Sequence, residues 1–312
     1  MSSQIFNPDK NEIVKEMPDL PGMYRTYPNT GGSVMLPLLE KNNYEAEIMI
    51  CGGGDYDDPE SPTDDTCGKI RPLDPEPRWD ITKMPGGGRS MVEGITLLDG
   101  TILWLNGARL GCEGFGTASE PALDAMVYSP ATKDWALAGR TDIPRLYHAV
   151  ALMLLDGTIL VAGSNPNEMP ILPKDVDLKD PLRAFPTEFR VEEYTPSYLL
   201  GKRAHKRPRN IAIDKKVFIP GKTVSSIHFH SADQPKDVKV WLYHGGFVTH
   251  ALHMGQIMVE MEQVKSVTYH KHGRYEVAIK VPGIKLAPGP YVIYLTVNSV
   301  PGHGQFVSVQ NK

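Results

Sequence analysis

The chain has 312 residues, of which 41% are hydrophobic, and a formal net charge of −4 at pH 7. This composition is typical of a soluble globular protein that is long enough to bury two cores. The lack of an apolar run of about eighteen residues excludes a membrane-spanning helix, and the N-terminal residues show no apolar segment typical of a signal peptide. The basic run at residues 202 to 209 has no nucleic-acid-reading motif beside it, so we interpret it as a solvated connector and expect no nucleic-acid binding.

Short strands separated by Gly, Pro and Asp are predicted up to about residue 200. Helical periodicity of useful length is absent, and 29 Gly and 27 Pro supply many turns. The apolar, β-branched runs in chain order are SVMLPLL, AEIMICGG, GITLLDGTILWLNG and AVALMLLDGTILVAGS.

One internal repeat organises this part of the chain. The heptapeptide LLDGTIL occurs at residues 97 to 103 and again at 154 to 160, and each copy places an Asp-Gly hairpin turn between two strands, at Asp99-Gly100 and at Asp156-Gly157. A repeat period between about 50 and 60 residues, with four strands per unit, is typical of a kelch-type β-propeller blade. About three and a half blades fit before residue 200, so we predict a partial propeller that is either a small ring or part of a larger one.

The three cysteines leave two alternatives open. Cys51 and Cys67 flank an acidic loop and could close it as a disulfide in an oxidising compartment, or they could be two buried thiols. Cys112 would then be the remaining thiol. The lack of a CxxC motif makes a zinc ribbon an unfavourable interpretation.

A second domain is predicted after the sequence RPRN at residues 207 to 210. Beyond this point hydrophobic and polar residues alternate with period two, with turns between the runs. This pattern predicts an immunoglobulin-like β-sandwich without the Cys-Trp-Cys core. The expected fold is therefore all-β, with a partial kelch-like propeller at residues 1–206 and a sandwich at residues 207–312.

Tyr147 and His148 stand side by side at the start of a predicted strand. Counted back from the Asp-Gly turn, the preceding blade has Ser90 and Met91 at the equivalent places, so the blade fold does not itself require Tyr-His. A phenol and an imidazole are potential metal ligands, although a buried Tyr and a hydrogen-bonded core His are the alternative interpretation.

These features together resemble the galactose oxidase and glyoxal oxidase family of copper-radical oxidases. The matching segments lie at residues 25 to 38, 143 to 167, 185 to 199 and 245 to 256. The resemblance implies one copper ion, with Tyr147 as an axial phenol ligand and His148 and His250 as imidazole ligands. His253, three residues further on in the same loop, is the alternative to His250. Cu²⁺ prefers a tetragonal set of N and O donors, which these groups supply.

The resemblance also implies a function and a substrate pocket. A small aldehyde such as glyoxal, or a primary alcohol, would be oxidised by O2 to give hydrogen peroxide, with Tyr147 as general base. Phe115 is expected at the pocket wall, and Tyr56 and Asp57 are expected among its polar lining, with ordinary surface loops as the alternative. Relatives in the family are mostly secreted, so an extracellular location is implied.

One part of the family's machinery is missing from the sequence. The radical cofactor of the family is a second Tyr bonded through sulfur to a Cys, and none of the three cysteines lies in the matching context. The chain therefore resembles the C-terminal half of such an enzyme, and another chain could complete the propeller. The alternative hypothesis is a non-catalytic module that binds a carbohydrate or a protein.

Overall fold

The computed structural model describes residues 2–311, which form a nearly all-β protein, as predicted. The helices among these residues are short 3₁₀ segments at Glu40–Asn42, Pro173–Asp175, Pro181–Arg183, Ser197–Leu199 and Gly201–Lys206. Across residues 2–311, no helix is both long enough and apolar enough to cross a membrane.

Strands β1 to β15 build the part of the chain up to residue 194. They are β1 (Ser3–Asn7), β2 (Glu12–Met17), β3 (Gly32–Met35), β4 (Ile48–Cys51), β5 (Thr66–Ile70), β6 (Asp80–Lys83), β7 (Glu93–Thr96), β8 (Ile102–Leu105), β9 (Ala108–Gly111), β10 (Ala118–Pro121), β11 (Asp124–Tyr128), β12 (Trp135–Arg140), β13 (Val150–Met153), β14 (Ile159–Ala162) and β15 (Glu192–Tyr194).

These strands form successive antiparallel sheets that match the expected blades. Two sheets have four strands, in the orders β3-β4-β5-β6 and β7-β8-β11-β12, and a third has the order β13-β14-β15. The hairpins β1-β2 and β9-β10 form separate two-stranded sheets. Inner strand β7 lies beside both β3 and β13, so the three larger sheets are arranged side by side.

The two copies of LLDGTIL fold in the same way. In each copy the Gly has a positive φ, 84° at Gly100 and 85° at Gly157, which an Asp-Gly turn favours because Gly has no Cβ. The Asp99 carboxylate accepts hydrogen bonds from the backbone and hydroxyl of the Thr two residues later, and Asp156 does the same. The repeat therefore marks the hairpins β7-β8 and β13-β14, as the sequence predicted.

Strands β16 to β28 build the remaining part. They are β16 (Arg209–Ile213), β17 (Val217–Phe218), β18 (Val224–His230), β19 (Val238–His244), β20 (Phe247–Thr249), β21 (Leu252–Met254), β22 (Ile257–Glu260), β23 (Glu262–Gln263), β24 (Thr268–His270), β25 (Arg274–Lys280), β26 (Gly289–Val297), β27 (Val300–Pro301) and β28 (Gln305–Val309).

Two sheets of these strands pack face to face as a sandwich. One has the order β16-β18-β25-β23 with β24 beside β25, and the other has the order β17-β28-β26-β19-β22 with β27 beside β26. Their inner faces supply a common core that includes Phe218, Ile227, Val240, Val277 and Leu295, each fully or almost fully buried. The period-two alternation of the sequence produces this arrangement because successive side chains in a strand point to opposite faces.

The two parts share buried side chains where they meet. A second apolar cluster combines Ile95 and Leu103 of the propeller sheet with Trp241 and Tyr294 of the sandwich. The Tyr294 hydroxyl also donates a hydrogen bond to the Leu154 carbonyl, 2.9 Å away. Beside this cluster, the hairpin β20-β21, defined here as the ligand hairpin, lies against β3, β7 and β13.

Cys51 and Cys67 form a disulfide, which resolves the alternative that the sequence left open. The two residues lie directly opposite each other on β4 and β5 and have no solvent exposure. Adjacent antiparallel strands bring their Cα atoms to 4.1 Å. Cys112 is a buried free thiol.

Candidate metal centre

Tyr147 and His148 lie just before β13, where the chain enters the inner strand of its sheet. Their rings are stacked, with centroids 3.8 Å apart. His148 has a left-handed backbone with a φ of 64°, and this conformation turns its side chain to the surface while Tyr147 stays 7% exposed. Such a conformation is uncommon for a residue other than Gly and persists where the surroundings hold it.

A buried arginine anchors this segment from two residues away. Arg145 forms an ion pair with Glu192, with 2.7 Å between nitrogen and oxygen, and donates to the carbonyl of Gly163 at the end of the neighbouring strand. Its side chain is almost completely buried. The position of Tyr147 is therefore fixed by contacts to both following strands of the sheet.

His250 reaches the same place from the sandwich. It lies at the turn of the ligand hairpin, with a φ of 51°, and its ring centroid is 5.7 Å from that of Tyr147 and 6.3 Å from that of His148. The structure thus brings together the three residues that the resemblance implied as copper ligands, although about one hundred residues separate them in sequence.

The hydrogen bonds of the two imidazoles leave one nitrogen of each ring free. His148 Nδ1 lies 3.0 Å from the carbonyl oxygen of Asn165, and because a carbonyl only accepts, Nδ1 carries the proton. His250 Nδ1 lies 2.7 Å from the hydroxyl of Thr249. In both residues Nε2 is the nitrogen that remains for a ligand, and a partner on Nδ1 orients a metal-binding imidazole in this way.

Tyr27 is a further member of this group that the sequence analysis did not single out. Its ring packs edge-on to His250 at 5.4 Å, and its phenol lies close enough to that of Tyr147 to affect the pKa of Tyr147. Burial, followed by the interactions with Tyr27 and Glu113, raises the pKa of Tyr147 to about 12. The phenol of Tyr147 therefore holds its proton at neutral pH in the metal-free chain.

Phe115 lies against two of the candidate ligands, and its role as a pocket wall stays a prediction. Its ring is 6.0 Å from that of Tyr147 and 6.2 Å from that of His148, and 42% of the residue is exposed. It is carried by the loop of hairpin β9-β10. Two residues earlier in this loop, Glu113 is buried and accepts a hydrogen bond from the hydroxyl of Thr30.

Tyr56 and Asp57 lie on the neighbouring loop. Tyr56 is half exposed and its N–H donates to the Ser61 hydroxyl. Asp57 accepts a hydrogen bond from the thiol of Cys112, at the base of the Phe115 loop. Among residues 2–311 the structure records no ring contact between Tyr56 and the candidate ligands, and the pocket role of Tyr56 and Asp57 stays a prediction.

His253, the alternative to His250, faces away from this group. Its side chain is 1% exposed, and Nε2 lies 3.1 Å from a carboxylate oxygen of Glu93 in strand β7. The structure therefore favours His250 as the ligand and gives His253 a place in the contact between the two parts of the chain.

The donor set fits a copper ion. Two imidazole rings and one phenol ring from two different parts of the fold lie with centroids 3.8 to 6.3 Å apart, and Cu²⁺ accepts N and O donors of these kinds. In the described part of the chain no group of three or more His, Cys, Asp or Glu side chains is placed to hold a metal ion. Cys51 and Cys67 are joined in a disulfide, and the Cys112 thiol donates a hydrogen bond to Asp57.

Comparison with known proteins adds the following relationships. A family model described as glyoxal oxidase N-terminus matches residues 1–198, and one described as galactose oxidase-like, early set domain matches residues 207–309. The aldehyde oxidase GLOX of Vitis pseudoreticulata is 32% identical over 98% of this chain and 58% of its own length. The aldehyde oxidase GLOX1 of Arabidopsis thaliana is also 32% identical, over 98% of this chain and 51% of its own length. The chain thus spans about half the length of these curated relatives.

Among solved structures, a fungal alcohol oxidase in complex with copper has a similar fold. It superposes with a TM-score of 0.70 over 90% of this chain and 54% of its own, at 20% sequence identity. At this identity the match supports the architecture of sheets and sandwich described above.

Proposed function

Because this chain belongs to the glyoxal oxidase family, we propose that it forms the copper-binding part of an oxidase that acts on small aldehydes or primary alcohols. The observation that carries the proposal is the convergence of Tyr147, His148 and His250 from two parts of the fold, with one imidazole nitrogen of each His left free. Relatives named aldehyde oxidases, and a neighbouring fold named as a copper-containing alcohol oxidase, support the substrate class.

The chain's own residues would divide the work as follows. His148 and His250 would hold copper through Nε2, and Tyr147 would hold it through its phenol oxygen. When bound, copper supplies one-electron redox chemistry. In its phenolate form, Tyr147 would also be placed to take a proton from the substrate, and the exposed Tyr27 lies beside it. An alcohol that loses two hydrogen atoms to O2 in this way yields an aldehyde and H2O2, and an aldehyde reacting as its hydrate yields an acid and H2O2.

The substrate would enter over Phe115. This ring borders both Tyr147 and His148 and is open to solvent, so it can form one wall of a small pocket. Tyr56 and Asp57 supply polar groups at greater distance. A small substrate fits this proposal better than a polymer, since Phe115 and Tyr27 stand close around the candidate ligands.

A second part of the propeller is needed for the complete reaction. The family's Cys-Tyr radical has no counterpart in the described residues, so we propose that a further segment or another chain supplies it and completes the ring of blades. We place the domain boundary between residues 206 and 207 and propose an extracellular location, which the buried disulfide supports because disulfides persist in oxidising compartments.

Copper binding tests the proposal directly. The purified chain would be loaded with Cu²⁺, dialysed, and examined by metal analysis and EPR beside the variants His148→Ala and His250→Ala. We expect one tightly bound copper with nitrogen hyperfine coupling, lost in both variants. A folded wild-type chain that binds no copper would contradict the proposal.

The non-catalytic module is the second candidate, and one observation favours it. None of the three cysteines lies in the sequence context that matches the radical-bearing Cys of the family, and this favours a chain that binds a ligand without oxidising it. Oxidase assays with glyoxal-like aldehydes and primary alcohols, with H2O2 as readout, separate the two candidates once the copper content is known. Copper binding without turnover, even after addition of the missing propeller half, would leave the binding module as the better explanation.

A further inference from the structure

A single buried carboxylate connects the two segments that carry the candidate ligands. Glu93 is the first residue of β7 and has no solvent exposure. Its Oε2 accepts a hydrogen bond from the backbone N–H of Ala151 at 2.8 Å and another from Nε2 of His253 at 3.1 Å. Its Oε1 accepts from the side-chain amide of Asn106 at 2.8 Å.

The two donors to Oε2 occupy equivalent places relative to the ligands. Ala151 follows His148 by three residues, and His253 follows His250 by three residues. Oε2 of Glu93 therefore lies between the strand that presents His148 and the hairpin that presents His250. A shift of either segment away from the other would break one of these two hydrogen bonds.

The same strand holds the end of the ligand hairpin by a second contact. The side-chain amide of Gln256 accepts from the N–H of Thr96 at 2.8 Å and donates to the carbonyl of Gly94 at 3.0 Å. A neighbouring strand would form its backbone hydrogen bonds to groups of this kind. Strand β7 thus contacts the hairpin at both ends of the segment from His253 to Gln256.

Burying a carboxylate without partners costs several kcal/mol, so a fully buried Glu is retained only where its hydrogen bonds are satisfied. Glu93 meets this condition with three donors from three different strands or loops. Glu93 directly follows Met91 and Val92, in the blade that lacks the Tyr-His pair. It therefore reaches the segments of the candidate ligands from the adjacent blade.

We propose that Glu93 is a positioning residue that sets the distance between His148 and His250 by holding both of their segments on one oxygen atom. The proposal rests on the assignment of these histidines as copper ligands. Partners of this kind, one step beyond the ligands, orient the donor atoms, and their loss weakens metal binding by about 10–100-fold.

The first experiment uses the metal-free chain, so that its outcome is independent of copper. The His250 imidazole lies 5.4 Å from the ring of Tyr27 and 5.7 Å from that of Tyr147, so its proton resonances carry ring-current shifts. These resonances would be assigned with His250→Ala in ¹³C-histidine-labelled protein. We expect them to move toward random-coil values in Glu93→Leu and in His253→Leu.

Two further variants make the result specific. Glu93→Gln keeps an oxygen that can accept from both Ala151 and His253 if the Asn106 amide turns over, so we expect it to retain the wild-type His250 resonances. Glu168→Gln, on an exposed residue that makes none of these hydrogen bonds, is the control for loss of a charge. If Glu93→Leu does not fold, His253→Leu, which removes only one donor, carries the test.

The second experiment measures Cu²⁺ affinity and EPR parameters of the same variants. We expect affinity about 10-fold weaker in the two Leu variants, with altered hyperfine coupling, and wild-type values in Glu93→Gln. Unchanged His250 resonances in both Leu variants, or a Gln variant that behaves like Leu, would overturn the positioning role. A wild-type chain that binds no copper but shows the expected resonance changes would instead overturn the proposed function and leave the bridge by Glu93 intact.

Discussion

Met91 and His148 occupy equivalent positions in neighbouring blades and share a left-handed backbone conformation, with φ values of 55° and 64°. Each lies eight residues before the Asp of its own Asp-Gly turn. The left-handed conformation at this position is therefore a property of the blade and not of the metal site. What distinguishes the last blade is the side chain at this position, which is an imidazole instead of a thioether.

This equivalence predicts that His148 can be replaced without loss of stability. His148→Asn should fold normally, because Asn tolerates the left-handed conformation. It should not bind copper, because the imidazole nitrogen of His148 is missing. Metal analysis and thermal unfolding check the two parts of the prediction. His272, which is exposed and has a φ of 61°, offers a matched control, and His272→Asn should keep wild-type copper content. Wild-type copper content in His148→Asn would remove His148 from the ligand set.

A buried ion pair is expected to dominate the stability of the first complete blade. The side chains of Arg25 and Asp64 are 4% and 5% exposed and lie 2.9 Å apart. Burial alone would raise the pKa of Asp64, but hydrogen bonds from Thr66 and Met23 and the charge of Arg25 outweigh burial and lower it. Arg25→Leu should lower the free energy of unfolding by about 3–5 kcal/mol, because it leaves a buried carboxylate unpaired.

The matched comparison for this variant is an exposed pair of similar geometry. Arg78 and Glu76 lie 3.1 Å apart with more than four fifths of each side chain exposed. Arg78→Leu should therefore cost less than about 1 kcal/mol. Urea unfolding of both variants at pH 7 gives the two values, and equal losses would show that burial does not control the strength of these pairs.

Glu113 makes the chain less stable as the pH rises. Burial raises the pKa of its carboxyl from 4.5 to about 7, although the hydrogen bond from Thr30 lowers it somewhat. A raised folded-state pKa means that the folded chain binds the proton more tightly, so this stabilisation is complete below about pH 4.5 and is lost as the pH rises through about 7. The difference amounts to roughly 2–3 kcal/mol between pH 5 and pH 8.

Glu113→Gln should remove this pH dependence. We expect urea unfolding to show wild type losing stability relative to Glu113→Gln between pH 5 and pH 8, while Glu168→Gln on the surface follows wild type. Parallel pH profiles of wild type and Glu113→Gln would mean that Glu113 is ionised in the folded chain at a normal pKa.

Counting reactive thiols tests the arrangement of the three cysteines. Cys112 is buried, and burial together with its hydrogen bond to Asp57 raises its pKa to about 11, so the thiol is protonated and unreactive at pH 8. We expect no alkylated cysteine in the native protein, one alkylated cysteine after unfolding without reductant, and three after unfolding with reductant. Three thiols without reductant would contradict the disulfide between Cys51 and Cys67.

Local patterns were sufficient to predict the fold class. Asp-Gly turns and apolar runs are short-range signals, and the copies at residues 97 to 103 and 154 to 160 produce equivalent hairpins because the same residues meet the same conformational demands. Tyr147 and His148 were identified as potential metal ligands from their residue types, whereas His250 was assigned through the family resemblance. The exact domain boundary stays a prediction.

Contacts between distant loops could not be predicted in this way. Tyr27 and Glu113 join the site because two loops separated by more than eighty residues pack together, and no periodic pattern marks either of them. The cysteine pairing depends on the register of β4 against β5, which a single sequence does not specify. The bridge from Glu93 to His253 spans 160 residues and could be found only once the two parts of the fold were placed together.

The apolar cluster shared by Ile95, Leu103, Trp241 and Tyr294 has a consequence for how the molecule comes apart. Since neither part can open without exposing this cluster, the blades and the sandwich should melt in one cooperative transition and not in two. A metal ion bound to donors from both sides would then raise the melting temperature of the whole molecule at once. Calorimetry should therefore show a single unfolding peak for both the metal-free and the metal-loaded chain, with the peak of the metal-loaded chain at a higher temperature.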